Sequence, residues 1–287
     1  MKNISLAHSP DADDIFMYYA IKFGWVDTKD YAIDNIGLDI ETLNVEALKG
    51  SYDISAISFG AYPYLKEDYA LLRTAVSFGQ GYGPKLIKQK GKVLKRNFKV
   101  ALSGEYTTNA LLFRLYYPQA RITYMNFLEI EQAVMDGVVD AGVLIHESIL
   151  DFDESLEVEK EIWDIWVELA GEELPLPLGG MAIRRSLPLN RALELEEILI
   201  DGVKVANAKK EELCKRLEDE NLVRISDALL EKYLNMYASD ESVELSPLQI
   251  KALDRLYAIG FEKGVFSEPL KTEDYLLPRE YSEYRNL

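Results

Sequence analysis

The sequence predicts an α/β protein of two lobes that face each other across a cleft. Short apolar runs typical of buried strands alternate with helical stretches over residues 4–186. Residues 50–58 and 137–146 repeat one pattern, in which a Gly-x-x-Asp turn precedes an apolar run and a polar residue. Residues 181–184 follow a proline-rich segment and are predicted to return the chain to the first lobe.

The first lobe is predicted from alternating strand and helix signals in the first ninety residues. Its strands are predicted at residues 4–7, 38–43, 53–58, 69–77 and 85–90, and its helices at 15–23 and 44–48. The 85–90 strand is expected to cross between the lobes. The glycine-rich loop 79–84 is not a dinucleotide fingerprint, because no helix follows it at the required spacing.

A second α/β unit follows a basic, linker-like stretch at residues 91–97. Strands are predicted at 98–102, 122–125 and 138–145, and helices at 109–117 and 127–135. Residues 150–161 are acidic and expected to be solvated, 163–166 fit either a strand or a helix, and the prolines of 174–180 are expected to exclude regular structure. Four helices are predicted from there, at 191–206, 209–216, 227–237 and 248–263.

These elements predict a discontinuous larger lobe and an inserted smaller one. Residues 1–92 and 187–287 are assigned to the larger lobe, and residues 93–186 to the inserted lobe. Two α/β lobes joined by two crossing segments around a cleft are typical of type II periplasmic-binding-protein folds. Closure of such a cleft buries the ligand and excludes water.

His146 is the candidate catalytic residue. It ends a buried strand, and ligands of open α/β sheets bind beyond the carboxyl ends of the strands. A histidine titrates near neutral pH and can serve as a general base there. The alternative is a hydrogen-bonded, inert residue at the end of the strand.

Thr107 and Thr108 are predicted at the amino terminus of a helix. Hydroxyl groups beside the free N–H groups of a helix end suit a carboxylate or a phosphate. Capping of the helix by one threonine alone is the alternative.

Composition excludes several classes of partner and of site. The formal charge of −17 disfavours binding to nucleic acid or to an anionic membrane surface. Cys214 is the only cysteine, which fits a reducing compartment, and no Cys/His cluster has the spacing of metal ligands. No apolar run reaches the length of a membrane span, and the first residues lack the pattern of a secretory signal. We expect a soluble, cytoplasmic protein.

An ordered set of short motifs resembles one enzyme family, 1,4-dihydroxy-6-naphthoate synthase of the futalosine route to menaquinone. They span most of residues 4–186, whereas the predicted C-terminal helices, from residue 191 onward, share only a general helical pattern with the family. The motifs are Ser9-Pro10 with Asp14 and Phe16, Ser58 before an Ala-Tyr pair, Gly81-Tyr82-Gly83-Pro84, Gly104 with Thr107-Thr108, Ile145-His146-Glu147-Ser148, and Leu174-Pro175-Leu176-Pro177-Leu178-Gly179.

The resemblance implies a lyase that acts on cyclic dehypoxanthinyl futalosine without a metal or an organic cofactor. His146 matches the catalytic histidine of the family, and Glu147 or a backbone carbonyl is expected to fix its tautomer. Ser58, Thr107 and Thr108 match ligand-contacting positions that would hold an aromatic carboxylate. Ser9 and Gly83 are the further expected contacts.

One loop departs from the family pattern. Relatives often have Ser-Pro-Cys-Pro-Asn-Asp where this chain has Ser9-Pro10-Asp11-Ala12-Asp13-Asp14, so contacts made by this loop are uncertain from sequence. Two other functions stay open. One is a chorismate dehydratase of the same pathway, which the His-Glu-Ser stretch disfavours, and the other is a non-catalytic protein that binds small anions.

Overall fold

The computed structural model describes residues 2–223, 227–237 and 240–279, whose strands form two sheets. The strands are β1 (Lys2–His8), β2 (Tyr31–Gly37), β3 (Ile54–Ser58), β4 (Tyr69–Leu71), β5 (Ser77–Gly79), β6 (Lys85–Gln89), β7 (Lys99–Leu102), β8 (Arg121–Tyr124), β9 (Ala141–Leu144), β10 (Leu156–Glu161) and β11 (Leu176–Arg184). The α-helices are α1 (Ala12–Lys22), α2 (Ile40–Leu48), α3 (Thr108–Tyr116), α4 (Phe127–Met135), α5 (Ile162–Ala170), α6 (Leu189–Ala208), α7 (Lys210–Asp219), α8 (Asp227–Tyr237) and α9 (Pro247–Glu262).

The first sheet has the order β2-β1-β3-β11-β4, and β5 pairs with β11. The second has the order β10-β6-β9-β7-β8. In each sheet parallel pairs (β1 with β2 and β3, β7 with β8 and β9) adjoin a strand that runs antiparallel to them, which is β11 in the first sheet and β6 in the second. The two sheets therefore share one plan, as the repeated sequence pattern predicts.

The central strands are apolar because both of their faces are covered. Every residue of β3 and of β9 is buried. Helix α4 lies so close to β9 that a Cβ atom on Gly142 would come within 2.4 Å of Ile130 Cγ2. The ends of both strands are consequently held at fixed positions.

The strand predicted at residues 38–43 is wrong. The structure has β2 at Tyr31–Gly37 and then α2, which begins at Ile40. The Asp39 carboxylate caps this helix by accepting the N–H of Thr42 at 3.1 Å. Capping by Asp39 assigns the apolar residues that follow to a helix instead of a strand.

Residues 174–180 were expected to exclude regular structure, and this prediction is wrong. Strand β11 includes Pro177, and the pairing of β11 with β5 is irregular between Pro177 and Gly179. A proline is tolerated in a sheet where the ladder is interrupted in this way. The segment expected at 69–77 as one strand is also divided, into β4 and β5.

The acidic segment 150–161 was expected to be solvated, but its second half is β10. This strand pairs antiparallel with β6, and the Lys88 ammonium group of β6 lies 2.6 Å from the Glu159 carboxylate. Cross-strand pairing with lysines explains why so acidic a segment forms a strand. Residues 163–166, for which two structures were open, belong to α5.

The strands of the second sheet lie between residues 85 and 161, and those of the first lie in 2–79 and 176–184. The lobe boundaries predicted from the sequence, 1–92 with 187–287 and 93–186, stay a prediction. Among the described residues, no helix is both long and apolar enough to span a lipid bilayer.

Candidate active site

A cavity of about 700 Å³, counted with its mouth open to solvent, receives residues from both sheets. Ser58 at the end of β3 and Gly179 in β11 line it from the first sheet. His146 after β9 and Thr108 at the start of α3 line it from the second. The strand ends therefore meet at the cavity, as expected for an α/β cleft.

The His146 ring is held by a hydrogen bond to Asp11. Its Nδ1 atom lies 2.6 Å from Oδ2 of Asp11, and the Phe127 ring packs edge-on against it with ring centroids 4.9 Å apart. The other ring nitrogen, Nε2, has no hydrogen-bond partner among the described residues. A neutral ring that donates Nδ1–H to Asp11 keeps a lone pair on Nε2.

The backbone at His146 turns sharply to bring the ring into this position. His146 has φ of +54°, a left-handed conformation that is uncommon for residues other than glycine. It begins a single 3₁₀ turn at His146–Ile149 directly after β9. Left-handed backbone at a non-glycine residue persists only where the surroundings hold it, and such residues cluster at functional sites.

The amino terminus of α1 supplies the partner of His146. Asp11 is the N-cap of this helix, and its Oδ1 accepts the N–H of Asp14 at 3.2 Å. Oε1 of Glu147 accepts the N–H of Ala12 at 2.8 Å. Glu147 was an expected partner for fixing the tautomer of His146, and the structure gives that part to Asp11.

The electrostatics of the pair favour ionised Asp11. Burial raises the pKa of Asp11, but the charge and hydrogen bond of His146, with the hydrogen bond from the Asp14 N–H, bring this pKa down to about 2. Burial lowers the pKa of His146, yet the charge and hydrogen bond of Asp11 dominate together and raise it above its usual value. The base is therefore stronger than a free imidazole.

Two further carboxyl groups, in the first turn of α1, lie beside this pair, and of these Asp13 is buried and Asp14 is half-buried. Burial and neighbouring negative charge, that of Asp11 first, raise the pKa values of Asp13 and Asp14 well above their usual range. Asp13 accepts a hydrogen bond from the Tyr233 hydroxyl at 3.1 Å. Asp14 accepts the backbone N–H of Ser9 at 2.7 Å, and Ser9 is buried and lines the cavity.

Thr107 and Thr108 line the cavity, but their hydroxyl groups bind protein. Thr107 caps α3, because its Oγ1 accepts the N–H of Ala110 at 3.2 Å and donates to the Gly104 carbonyl at 3.1 Å. Thr108 Oγ1 accepts the N–H of Gly60 at 2.9 Å and donates to the Leu178 carbonyl at 2.7 Å. These hydroxyl protons are consequently not available to a ligand.

Ser58 keeps its hydroxyl proton for a ligand. Its Oγ accepts a hydrogen bond from the Asn44 side-chain amide at 3.0 Å, and its N–H donates to Oδ1 of Asn44 at 2.8 Å. Gly83 is not among the described residues that line the cavity, whereas Pro84 is. A Cβ atom at Gly83 would lie 2.8 Å from Cδ2 of Leu176, so this glycine permits close packing behind the wall.

Five residues of the site were not predicted from the sequence, namely Asp11, Asp13, Asn109, Tyr233 and Tyr237. Asn109 follows the two threonines, and its Oδ1 is buried without a hydrogen-bond partner among the described residues. Asn109 is the second residue of α3, so the Thr-Thr motif that predicted the start of this helix could also have indicated Asn109. The tyrosines of α8 carry no such signal, because their spacing is equally typical of a core face.

Asp11, Asp13 and His146 each place one polar atom within 4.8 Å of the others, a grouping that could hold a metal ion. The 2.6 Å between Asp11 and His146 favours a hydrogen bond. Two ligands of one tetrahedral ion, each about 2.0–2.1 Å from it, lie roughly 3.3 Å apart. We therefore treat the three as an acid–base cluster.

Direct hydrogen bonds connect the elements of the two sheets around the cavity. Besides Asp11 with His146, the Glu41 carboxylate of α2 accepts the N–H groups of Glu105 and Tyr106, at 2.8 and 3.1 Å. The Gly60–Thr108 contact is so close that a Cβ atom on Gly60 would lie 3.0 Å from the Thr108 Cα. The structure therefore shows the cleft in a closed form.

Comparison with known proteins identifies the family. The model of a family described as "Menaquinone biosynthesis" matches residues 4–262. The chain belongs to this family. The predicted resemblance is thus confirmed.

Two similar proteins extend over nearly the whole chain. A curated relative from Thermus thermophilus, named 1,4-dihydroxy-6-naphthoate synthase, is 28% identical over 266 residues, which are 92% of this chain and 96% of the relative. A solved structure from Archaeoglobus fulgidus has 34% identity and a TM-score of 0.85, and covers 92% of this chain and 98% of its own. The family model and the name of the Thermus thermophilus relative confirm the predicted class of enzyme, a lyase of menaquinone biosynthesis.

A more distant structure supports the fold alone. The alkanesulfonate-binding protein of Xanthomonas axonopodis pv. citri is 12% identical and has a TM-score of 0.69, with 96% of this chain and 98% of the other covered. The predicted two-lobed periplasmic-binding-protein fold is confirmed by this likeness.

Replacing Thr108 with valine is expected to destabilise the closed form. Valine has nearly the same shape but leaves the Gly60 N–H and the Leu178 carbonyl without their partner. An unsatisfied buried polar group costs about 1–3 kcal/mol. Chemical denaturation should show this loss in the free energy of unfolding for Thr108→Val. Thr108→Ser keeps the hydroxyl group and is the control, and equal stability of the two variants would contradict the assignment.

Proposed function

We propose that the protein is a lyase that converts cyclic dehypoxanthinyl futalosine into 1,4-dihydroxy-6-naphthoate, with His146 as the general base. Membership of the menaquinone biosynthesis family and the name of the Thermus thermophilus relative support the reaction class. The observation that carries the role of His146 is its Nε2 atom, which lacks a protein partner while Nδ1 is bound to Asp11.

The base acts from the neutral ring. His146 donates Nδ1–H to Asp11 and takes a proton from the substrate on Nε2, which leaves an imidazolium beside an ionised carboxylate. Asp11 stabilises this cation and keeps the ring in the tautomer that can accept a proton. Positioned acid–base help of this kind typically contributes on the order of a hundred- to ten-thousand-fold in rate.

The aromatic carboxylate of the substrate is proposed to lie at the amino terminus of α3. The N–H groups of Thr108 and Asn109, in the first turn of the helix, are not used in the helix ladder and favour an anion. The Ser58 hydroxyl and the Asn109 amide add side-chain donors at the same cavity. In this proposal the hydroxyl groups of Thr107 and Thr108 do not bind the ligand directly. They hold the first turn of α3, whose N–H groups bind it.

Chorismate dehydration and non-catalytic solute binding are the competing functions. The Asp11–His146 pair disfavours solute binding, because a protein that only binds its ligand does not need a free ring nitrogen held by a carboxylate. Incubation with cyclic dehypoxanthinyl futalosine and, separately, with chorismate, followed by mass spectrometry of the products, distinguishes the three. Residence in the cytoplasm stays a prediction, supported by the single cysteine.

His146→Gln is expected to lower kcat by about a hundredfold or more, because glutamine has no group that accepts a proton at neutral pH. Binding of the naphthoate product, measured by calorimetry, should change little. The matched variant is Ser58→Ala, for which KM should rise more than kcat falls. Near-normal turnover by His146→Gln would contradict the catalytic assignment.

The rate should fall as pH drops through the pKa of His146, since only the neutral ring accepts a proton. That pKa lies above the usual value, chiefly through Asp11 acting against burial, so the acidic limb of kcat/KM should lie above pH 6.5. Asp11→Asn removes the charge and should move this limb down by about one unit or more. The plateau rate should fall as well, because the tautomer is no longer fixed. A limb that stays in place would contradict the pairing.

A further inference from the structure

Four carboxyl groups surround His146, and one of them has a different environment. Asp11 accepts the N–H of Asp14, Asp14 accepts that of Ser9, and Glu147 accepts that of Ala12. Asp13 accepts no backbone N–H among the described residues, and its partner is the neutral Tyr233 hydroxyl. Backbone N–H groups stabilise an ionised carboxylate, so Asp13 has the weakest support for a negative charge.

The described residues that line the cavity around Asp13 include no lysine or arginine. The His146 ring is bound to Asp11. Asp13 is only 5% exposed, and its carboxyl group lies in the cluster with Asp11 and His146. Two buried carboxylates so close together cannot both ionise without a large penalty.

We propose that Asp13 is a positioning residue, present as the neutral acid, that donates its proton in a hydrogen bond to Asp11. Tyr233 donates to Oδ1 of Asp13, which leaves Oδ2 to carry the proton. Asp11 then accepts from Asp13 on one side and from the His146 ring on the other. This inference rests on the proposed role of His146 and adds the group that limits the basicity of its partner.

The direction of the Asp13 pKa agrees with this arrangement. Burial raises the pKa of Asp13 most, and the charges of Asp11, Asp14 and Glu147 raise it further. The other titratable groups that face the cluster are Tyr18 of α1, Tyr233 and Tyr237 of α8, and His8 at the end of β1. Phe127 of α4 is uncharged.

The pKa of His146 reports the ionisation state of Asp13. Asp13→Asn is neutral and still donates to Asp11, so the pKa of His146 should stay within about half a unit of its value in the unchanged protein. Asp13→Leu is also neutral but donates nothing, so Asp11 becomes a stronger partner and the pKa of His146 should rise. If Asp13 were ionised, both substitutions would remove a charge and lower the pKa of His146 by about one unit or more.

Proton NMR titration of the imidazole resonances measures this directly, since the chain has only two histidines. His146→Gln assigns the signals, and burial lowers the pKa of His8, which separates the two titrations. Asp151→Asn, at an exposed position, is the matched control and should shift neither. A fall in both Asp13 variants overturns the neutral acid, and no change in Asp13→Leu overturns the hydrogen bond to Asp11. If Asp13→Leu does not fold, Asp13→Asn alone decides the charge.

Kinetics keep this inference separate from the proposed reaction. The acidic limb of kcat/KM should move with the pKa of His146 in each variant, so it should stay in place in Asp13→Asn and move to higher pH in Asp13→Leu. Failure of the unchanged protein to form the naphthoate would refute the proposed function and leave the NMR titration valid. Formation of the naphthoate by the unchanged protein, with the acidic limb displaced to lower pH in Asp13→Asn, would refute only the role proposed for Asp13.

Discussion

The hydrogen bond between Asp11 and His146 is the interaction on which the rest of the site depends. It joins the loop before α1 to the turn after β9, and so fixes both the chemistry of the ring and the distance between the two halves of the cleft. Left-handed backbone at His146 and the N-cap position of Asp11 are the local conditions that make the contact possible. The left-handed backbone at His146 costs conformational free energy, and backbone of this kind is typical of functional sites.

Several polar side chains near the cavity form hydrogen bonds to other parts of the protein and are therefore not available to a ligand. The hydroxyl groups of Thr107 and Thr108 are bound to protein, as are the Glu41 and Glu147 carboxylates. The donors proposed for the ligand are the N–H groups of Thr108 and Asn109, the Asn109 amide and the Ser58 hydroxyl. The site is complete only while the cleft is closed, because opening the cleft would separate His146 from Asp11.

The plan of the fold was predictable from the sequence, and so was one part of the cavity wall, formed by Ser9, Ser58, Thr107, Thr108 and His146. The repeated turn, apolar run and polar residue at 50–58 and 137–146 predicted two strand ends that the structure does bring to one cavity. The partner of His146 was not predictable. Asp11 lies 135 positions away in the sequence, and its local pattern indicated only that it caps the helix that follows it. The strand predicted at 38–43 was wrong because Asp39 caps a helix there. The segment 174–180 was wrongly excluded from a strand because the irregular pairing of β11 accommodates Pro177.

The tautomer of His146 tests the central claim most directly. Nitrogen NMR of protein labelled at histidine, recorded above the pKa of the ring, distinguishes a protonated Nδ1 from a protonated Nε2. A ring bound to Asp11 should carry its proton on Nδ1 and leave Nε2 free, and the same signal should change in Asp11→Asn. A proton on Nε2, or a mixture of tautomers indifferent to Asp11, would contradict the assignment of His146 as a base held by that carboxylate.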